Sequence, residues 1–361
     1  MRNLLTALCL LPTLVLAQEL HTFKNGEVAD AEKINQNFDL LRDMNGGTEI
    51  SVVANCTEDP DAFSRLWIDK SSFKNVTFIV SGDCNVSEEV RRHLRALQAR
   101  FIKIKGEYSP DRTCPSSLSW PSNQYHQINV SHGMLVFGCL TIKGFSDFDE
   151  PDLYSQTVAE RFGEIRLAQV GGRNLGSFQA RRSGIIEANI SAEKLGYVSA
   201  DNNSRLFVRC ENESEIDWRS IQVFSGSTLS VSSCSASGLD SIYSEEGGRA
   251  SLQFSDLIVS YMGVQSSSQL VFTNSNLSVL NQLSVSDNSF MSLQSEASIS
   301  APKTIVQRGG QMTLGARSVL QSDELTVIMG SGVYWSAQYG ASISAVNSSF
   351  DATSYIGSTS P

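Results

Sequence analysis

The chain is short of several things, and each shortage removes a class of protein. After the first seventeen residues no stretch approaches the 18 or more consecutive apolar residues a spanning helix needs, so no membrane span is expected. Charge is thin: 18% of the 361 residues are charged, and from residue 220 onward only four Lys/Arg and nine Asp/Glu stand among 142 residues. The formal net charge of -10 argues against nucleic acid as a partner. There is no Cys-x-x-Cys pair, which weakens metal ligation as the use of the cysteines. There is no Ser-His-Asp elbow, phosphate loop or dinucleotide fingerprint. The Asn-Gly signal of tight hairpins is missing from residues 163–350, which disfavours the alternative fold, a β-sandwich of short antiparallel strands. The six-residue beat of a left-handed hexapeptide helix is also missing, as are the Thr-x-Thr ranks of an ice- or mineral-binding face.

What is present is a repeat of about 20 to 22 residues running from Gly163 to Phe350. It is plainest in 269–288, 289–309 and 310–330, each holding three short apolar pairs. The first stretch has Leu270/Phe272, Leu277/Val279 and Leu283/Val285, each pair with one residue between its members, which is the period of a strand. The second has Met291/Leu293, Ala297/Ile299 and Ile305/Val306; the third has Met312/Leu314, Val319/Leu320 and Leu325/Val327. Looser copies carry Ile165/Leu167, Leu206/Val208, Leu229/Val231 and Leu252/Phe254. Three strands per repeat leave no room for a crossover helix. The expected fold is all-β, a right-handed parallel β-helix (solenoid) of roughly 12 turns, whose stacked turns build a continuous apolar interior that one turn alone cannot.

The chain divides into four stretches. Residues 1–17 read as a secretory signal peptide, with Arg2, an apolar middle, and Val15 and Ala17 at the small-residue positions. Residues 18–45 form a short N-terminal helical segment with Ile34, Phe38 and Leu41 at helical spacing, a stripe that must dock on the solenoid end or on copies of itself and so make a homo-oligomer. Residues 46–162 are irregular first turns with helical insertions at 61–70 and after the capping residue Ser87. Residues 163–361 hold about nine regular turns.

The strings Ile128 to Phe145 and Gly226 to Cys234, with the repeat spacing, resemble secreted right-handed parallel β-helix proteins of the pectate-lyase-like superfamily. The N-terminal segment is similar to a short motif of secreted and tail-fibre-like proteins. The resemblance implies a scaffold, not one activity.

Export and an even cysteine number imply disulfides in the mature chain. Successive gaps of 28, 25 and 24 residues each approximate one turn, which predicts Cys56 with Cys84, Cys114 with Cys139, and Cys210 with Cys234. Asp147, Asp149 and Asp152 follow a strand in FSDFDEPD and are the candidate ligands should the protein bind Ca²⁺; Arg161, Arg166, Arg181 and Arg182 are the basic groups nearest them in sequence. No other cofactor is expected. His126 and His132 flank one strand and are expected on the surface. Trp67-Ile68-Asp69 has only a chance likeness to a lyase motif, since Lys70 follows.

The expected function is non-enzymatic: a secreted, periplasmic or cell-surface protein that binds extracellular polysaccharide or another surface through hydroxyl- and amide-rich ladder faces, or spaces other parts. The alternative is a polysaccharide lyase or glycoside hydrolase, which needs carboxylates stacked on neighbouring turns. Asp240, Asp256, Asp287 and Asp323 instead fall in different phases of the repeat.

Overall fold

The computed structural model describes residues 49–70, 75–98, 100–111, 113–121, 124–146, 155–211, 215–336 and 339–358. The signal stretch and the N-terminal helical segment lie outside the described residues. The rest is a parallel β-solenoid of about 11 turns, close to the count expected. Every strand pairing among the described residues is parallel, and partners lie one turn apart. Three ladders run along the coil. The first passes through Ile50–Asn55, Asn75–Ser81, Phe101–Gly106 and Arg205–Cys210 to Tyr355–Ser358. The second includes 256–259, 276–279, 298–301, 319–322 and 342–345. The third includes Gln127–Ser131, Gln156–Glu160, Ser177–Arg181 and 282–285.

The apolar pairs predict the interior because alternate residues of a strand face the same way. Leu270, Phe272, Leu277, Val279, Leu283 and Val285 are all buried, as are the pairs of the looser early repeats. Two pairs fall out of phase. Ile305/Val306 and Val319/Leu320 are adjacent residues, which a strand must point to opposite sides. The inward positions are Thr304 with Val306, and Leu320 with Ser322. The two buried hydroxyls meet across successive turns, Ser322 Oγ and Thr304 Oγ1 lying 3.0 Å apart, and Ser322 Oγ also donates to Glu324 O at 2.8 Å, so neither is left without a partner.

The turn from the third ladder back to the first uses two successive residues with positive φ: Arg161/Phe162, Arg182/Ser183, Asn202/Asn203, Ser225/Gly226, Glu246/Gly247, Ser266/Ser267, Asp287/Asn288, Arg308/Gly309 and Met329/Gly330. A left-handed L-residue costs about 1–2 kcal/mol. Hydrogen bonds between stacked turns offset that, among them Ser183 N to Asn202 O at 2.9 Å and Gly247 N to Ser266 O at 2.9 Å. The next residue is always a buried Gly or Ser: Gly163, Gly184, Ser204, Ser227, Gly248, Ser268, Ser289, Gly310 or Ser331. Space explains the choice. A Cβ on Gly184 would stand 2.0 Å from Ala159 O, whereas Ser204 turns its Oγ to donate to Ala180 O at 2.7 Å.

Two helices, α1 (Ala62–Lys70) and α2 (Glu88–Leu94), leave the early turns where the sequence placed them. Phe63 and Trp67 of α1 bury against Phe78, the two rings Trp67 and Phe78 stacking at 5.2 Å. Trp67 Nε1 donates to His93 Nδ1 of α2 at 3.1 Å, so Trp67 serves packing. Ser87 caps α2, its Oγ accepting from Val90 N.

The three disulfides are those predicted, with Cα–Cα separations of 5.1, 4.9 and 5.1 Å. Residues one turn apart in sequence are neighbours on adjacent rungs, which brings them into bridging range.

The surface placement holds for His132 and fails for His126, which is buried beside Trp120 and Phe145. The strand starts at Gln127, so His126 sits in the preceding loop, which folds inward. Its Nε2 lies 2.9 Å from Pro121 O. That carbonyl can only accept, so Nε2 carries the proton and Nδ1 is a bare buried acceptor. Burial therefore pushes the imidazole below its ordinary pKa; the Arg91 and Arg95 charges act the same way, while the Pro121 bond and Glu88 oppose them.

Candidate functional site

Asp147, Asp149 and Asp152 lie outside the described residues. Of the arginines named with them, Arg166 stands on the first ladder beside Glu164 and 3.3 Å from Glu187, and Arg182 is 3.9 Å from Glu160. Arg161 is in a left-handed turn, and Arg181 ends its strand exposed. The scattered acids stay apart: Asp240 pairs with Arg219 at 2.9 Å, Asp287 with Arg308 at 3.6 Å, and Asp256 receives Asn276 Nδ2 at 3.5 Å. Among the described residues no three His, Cys, Asp or Glu side chains are grouped to hold a metal ion.

Two outward faces stand out. The first lies on the second ladder, where two adjoining shallow grooves of 520 and 490 Å³ cover the rungs from Asp256 to Val346. One column across it is Asp256, Asn276 and Ser298, matched rung to rung. Ser298 Oγ donates to Asn276 Oδ1 at 2.9 Å and Asn276 Nδ2 donates on to Asp256, so the chain of bonds fixes the amide's orientation. The neighbouring column is Ile258, Ser278, Ser300, Gln321 and Ser344. Its hydroxyl and amide groups have no protein hydrogen-bond partner among the described residues, and Ile258 and Leu280, 44% and 55% exposed, set apolar spots beside them. Stacked strands repeat this chemistry every ~4.8 Å over a length of about 19 Å.

The second face lies on the first ladder in the middle of the coil. A groove of 540 Å³ is lined by Arg166, Glu187, Asn189, Phe207, Arg209 and Ser230, with Phe207 standing 38% exposed in it. Asn189 Nδ2 donates to Glu211 at 3.0 Å, leaving its Oδ1 without a partner. Leu206/Val208 mark the inward side of this strand by hydrophobicity, and the outward residues carry no repeat pattern of their own. The available signal is the alternation Arg205-Leu206-Phe207-Val208-Arg209: once Leu206 and Val208 are inward, the other three must face out.

The chain finds no match among protein-family models, curated proteins or solved structures. What the fold and its faces define is a class: a disulfide-stapled parallel β-solenoid whose outward ladder residues form extended, shallow grooves. No helix among the described residues is long and apolar enough to cross a membrane.

Proposed function

We propose that the chain is an exported, non-enzymatic β-solenoid that holds an extracellular glycan along its second ladder. The carrying observation is the column Ser278, Ser300, Gln321 and Ser344, whose unpartnered hydroxyls and amide recur at one-rung spacing beside the prearranged Asp256–Asn276–Ser298 column. A linear polysaccharide presents hydroxyls at a repeat close to that of the rungs, and its ring faces suit Ile258 and Leu280. Shallow grooves leave much of a ligand in water, so each rung adds little and affinity grows by adding rungs. The signal-like first seventeen residues and the three disulfides support an oxidising destination, either secreted, periplasmic or at the cell surface.

The test is calorimetric titration of the mature protein with neutral and acidic polysaccharides, with calcium and with chelator, while following the absorbance of unsaturated products. Binding of a neutral glycan without turnover is expected. Gln321→Ala should weaken it by about 0.5–1.5 kcal/mol, the net value of a hydrogen bond, with melting unchanged. Release of unsaturated product would replace this reading with the lyase alternative.

A further inference from the structure

The first ladder carries a strip of cations out of keeping with the acidic chain. Its outward columns follow from the register: Lys103 lies two rungs from Arg166, Arg205 two rungs from Arg249, and Asn189 stands beside Arg209. With Lys105, six cations occupy the outer face between the strand Phe101–Gly106 and the strand beginning at Arg249. These are seven successive rungs, about 29 Å of ladder. The acids on the same three columns are Glu164 and Glu187, and both are engaged by Arg166. Arg205, Arg209 and Arg249 have no ion-pair partner among the described residues, and all three are exposed. Of the chain's 28 Lys/Arg only four fall after residue 219, and Arg249, one of those four, completes this strip.

Unpaired guanidinium groups spaced along a flat face suit a ligand that is itself linear and repeatedly anionic. Each guanidinium can hold a sulfate or carboxylate with two parallel hydrogen bonds. Phe207, flanked on its own strand by Arg205 and Arg209, offers an exposed aromatic ring against which a sugar ring can lie. An aromatic platform between cations favours a glycan over a lipid surface, whose headgroups present no flat apolar face.

We propose that the Lys103–Arg249 face of the first ladder binds a linear polysaccharide bearing sulfate or carboxylate groups, neutralising it directly through arginine and lysine. The site shares no residue with the second-ladder face and stands or falls separately from it.

The mature protein is titrated with heparin as the sulfated probe, polygalacturonate as the carboxylate probe, vesicles containing anionic lipid, and a double-stranded DNA oligonucleotide. Binding of heparin or polygalacturonate is expected, with at least roughly a tenfold loss between 50 and 200 mM salt as counterions are no longer released to advantage. Which of the two binds identifies the anionic group. The triple variant Arg205→Gln/Arg209→Gln/Arg249→Gln should lose about tenfold or more in affinity at low salt while melting with the parent, since all three side chains are exposed. Phe207→Ala should weaken binding by a similar factor at every salt concentration, a stacking contribution that salt does not screen. Absence of binding to both anionic glycans at low salt overturns the proposal. So does a triple variant that binds like the parent, and so does equal affinity for vesicles or DNA, which would mean unspecific charge attraction.

Discussion

The three disulfides allow a sharp test of how the coil is held. Their loops span 28, 25 and 24 residues. In the chain-entropy account, closing a loop of that size removes about 3.5 kcal/mol of freedom from the unfolded state at 25 °C, and the three values differ by only about 0.1 kcal/mol. For about 300 ordered residues the unfolding entropy is near 0.6 kcal/mol per kelvin, so each lost bridge should lower Tm by about 5 °C. The perturbation is a paired Cys→Ala substitution at one bridge at a time, which leaves no stray thiol. The assay is calorimetric melting, with reductant on the parent as a check. Position enters differently. Cys56–Cys84 joins the outermost described turn to its neighbour and Cys210–Cys234 sits mid-coil. In a quasi-one-dimensional stack the first should also speed amide exchange in Ile50–Asn55, while the second opens nothing until the coil unfolds. One variant melting within about 1 °C of the parent while the other two fall fully would refute the loop-closure reasoning.

Gly184→Ala should destabilise by about 3 kcal/mol because its Cβ meets the Ala159 carbonyl, a backbone atom with nowhere to go. Gly330→Ala, with a left-handed φ and open space around it, should cost about 1 kcal/mol; equal shifts in urea midpoint would count against the packing argument. His126 titrates below its ordinary value in the folded chain, so the unfolded chain takes up the proton first: the stability it contributes is complete above about pH 6.5 and is lost as pH falls toward the folded value. His126→Gln should flatten the stability profile below about pH 6.5, by no more than about 1.4 kcal/mol per pH unit, and an unchanged slope would assign the acid sensitivity elsewhere.

The coil and its bridges were legible in the sequence for one reason: both depend on period alone. Leu270/Phe272 and Leu283/Val285 announce a strand face, and a cysteine gap near one turn announces a bridge between rungs. Phase is harder. At Ile305 and Val319 hydrophobicity pointed to the wrong neighbour because the inward places went to Thr304 and Ser322, polar residues that meet across successive turns. His126 was misplaced because its loop folds inward, where no strand period applies. The two candidate faces were the least legible. Serine and asparagine counts suggested a polar exterior, but which of them share a column depends on turn lengths of 20 to 34 residues, so that Asn276 meets Ser298 and Arg205 falls in one column with Arg249 only once the register is known.

That register separates stability from recognition more completely here than in a fold with one central cleft. Inward residues alternate with outward ones on the strands of both faces, so the apolar columns hold the coil whatever the outward columns carry. Arg205, Phe207 and Arg209 alternate with Leu206 and Val208, which are buried on the other side of the same strand. The outward chemistry is thus free to differ along the axis and between ladders. Cations gather on the first ladder toward the N-terminal end, and unpartnered hydroxyls and amides gather on the second ladder toward the C-terminal end. Neither face has the depth to hold a small molecule by enclosure. Each has the length to hold a polymer by repetition, and repetition at the rung spacing is what a parallel solenoid imposes on any surface it presents.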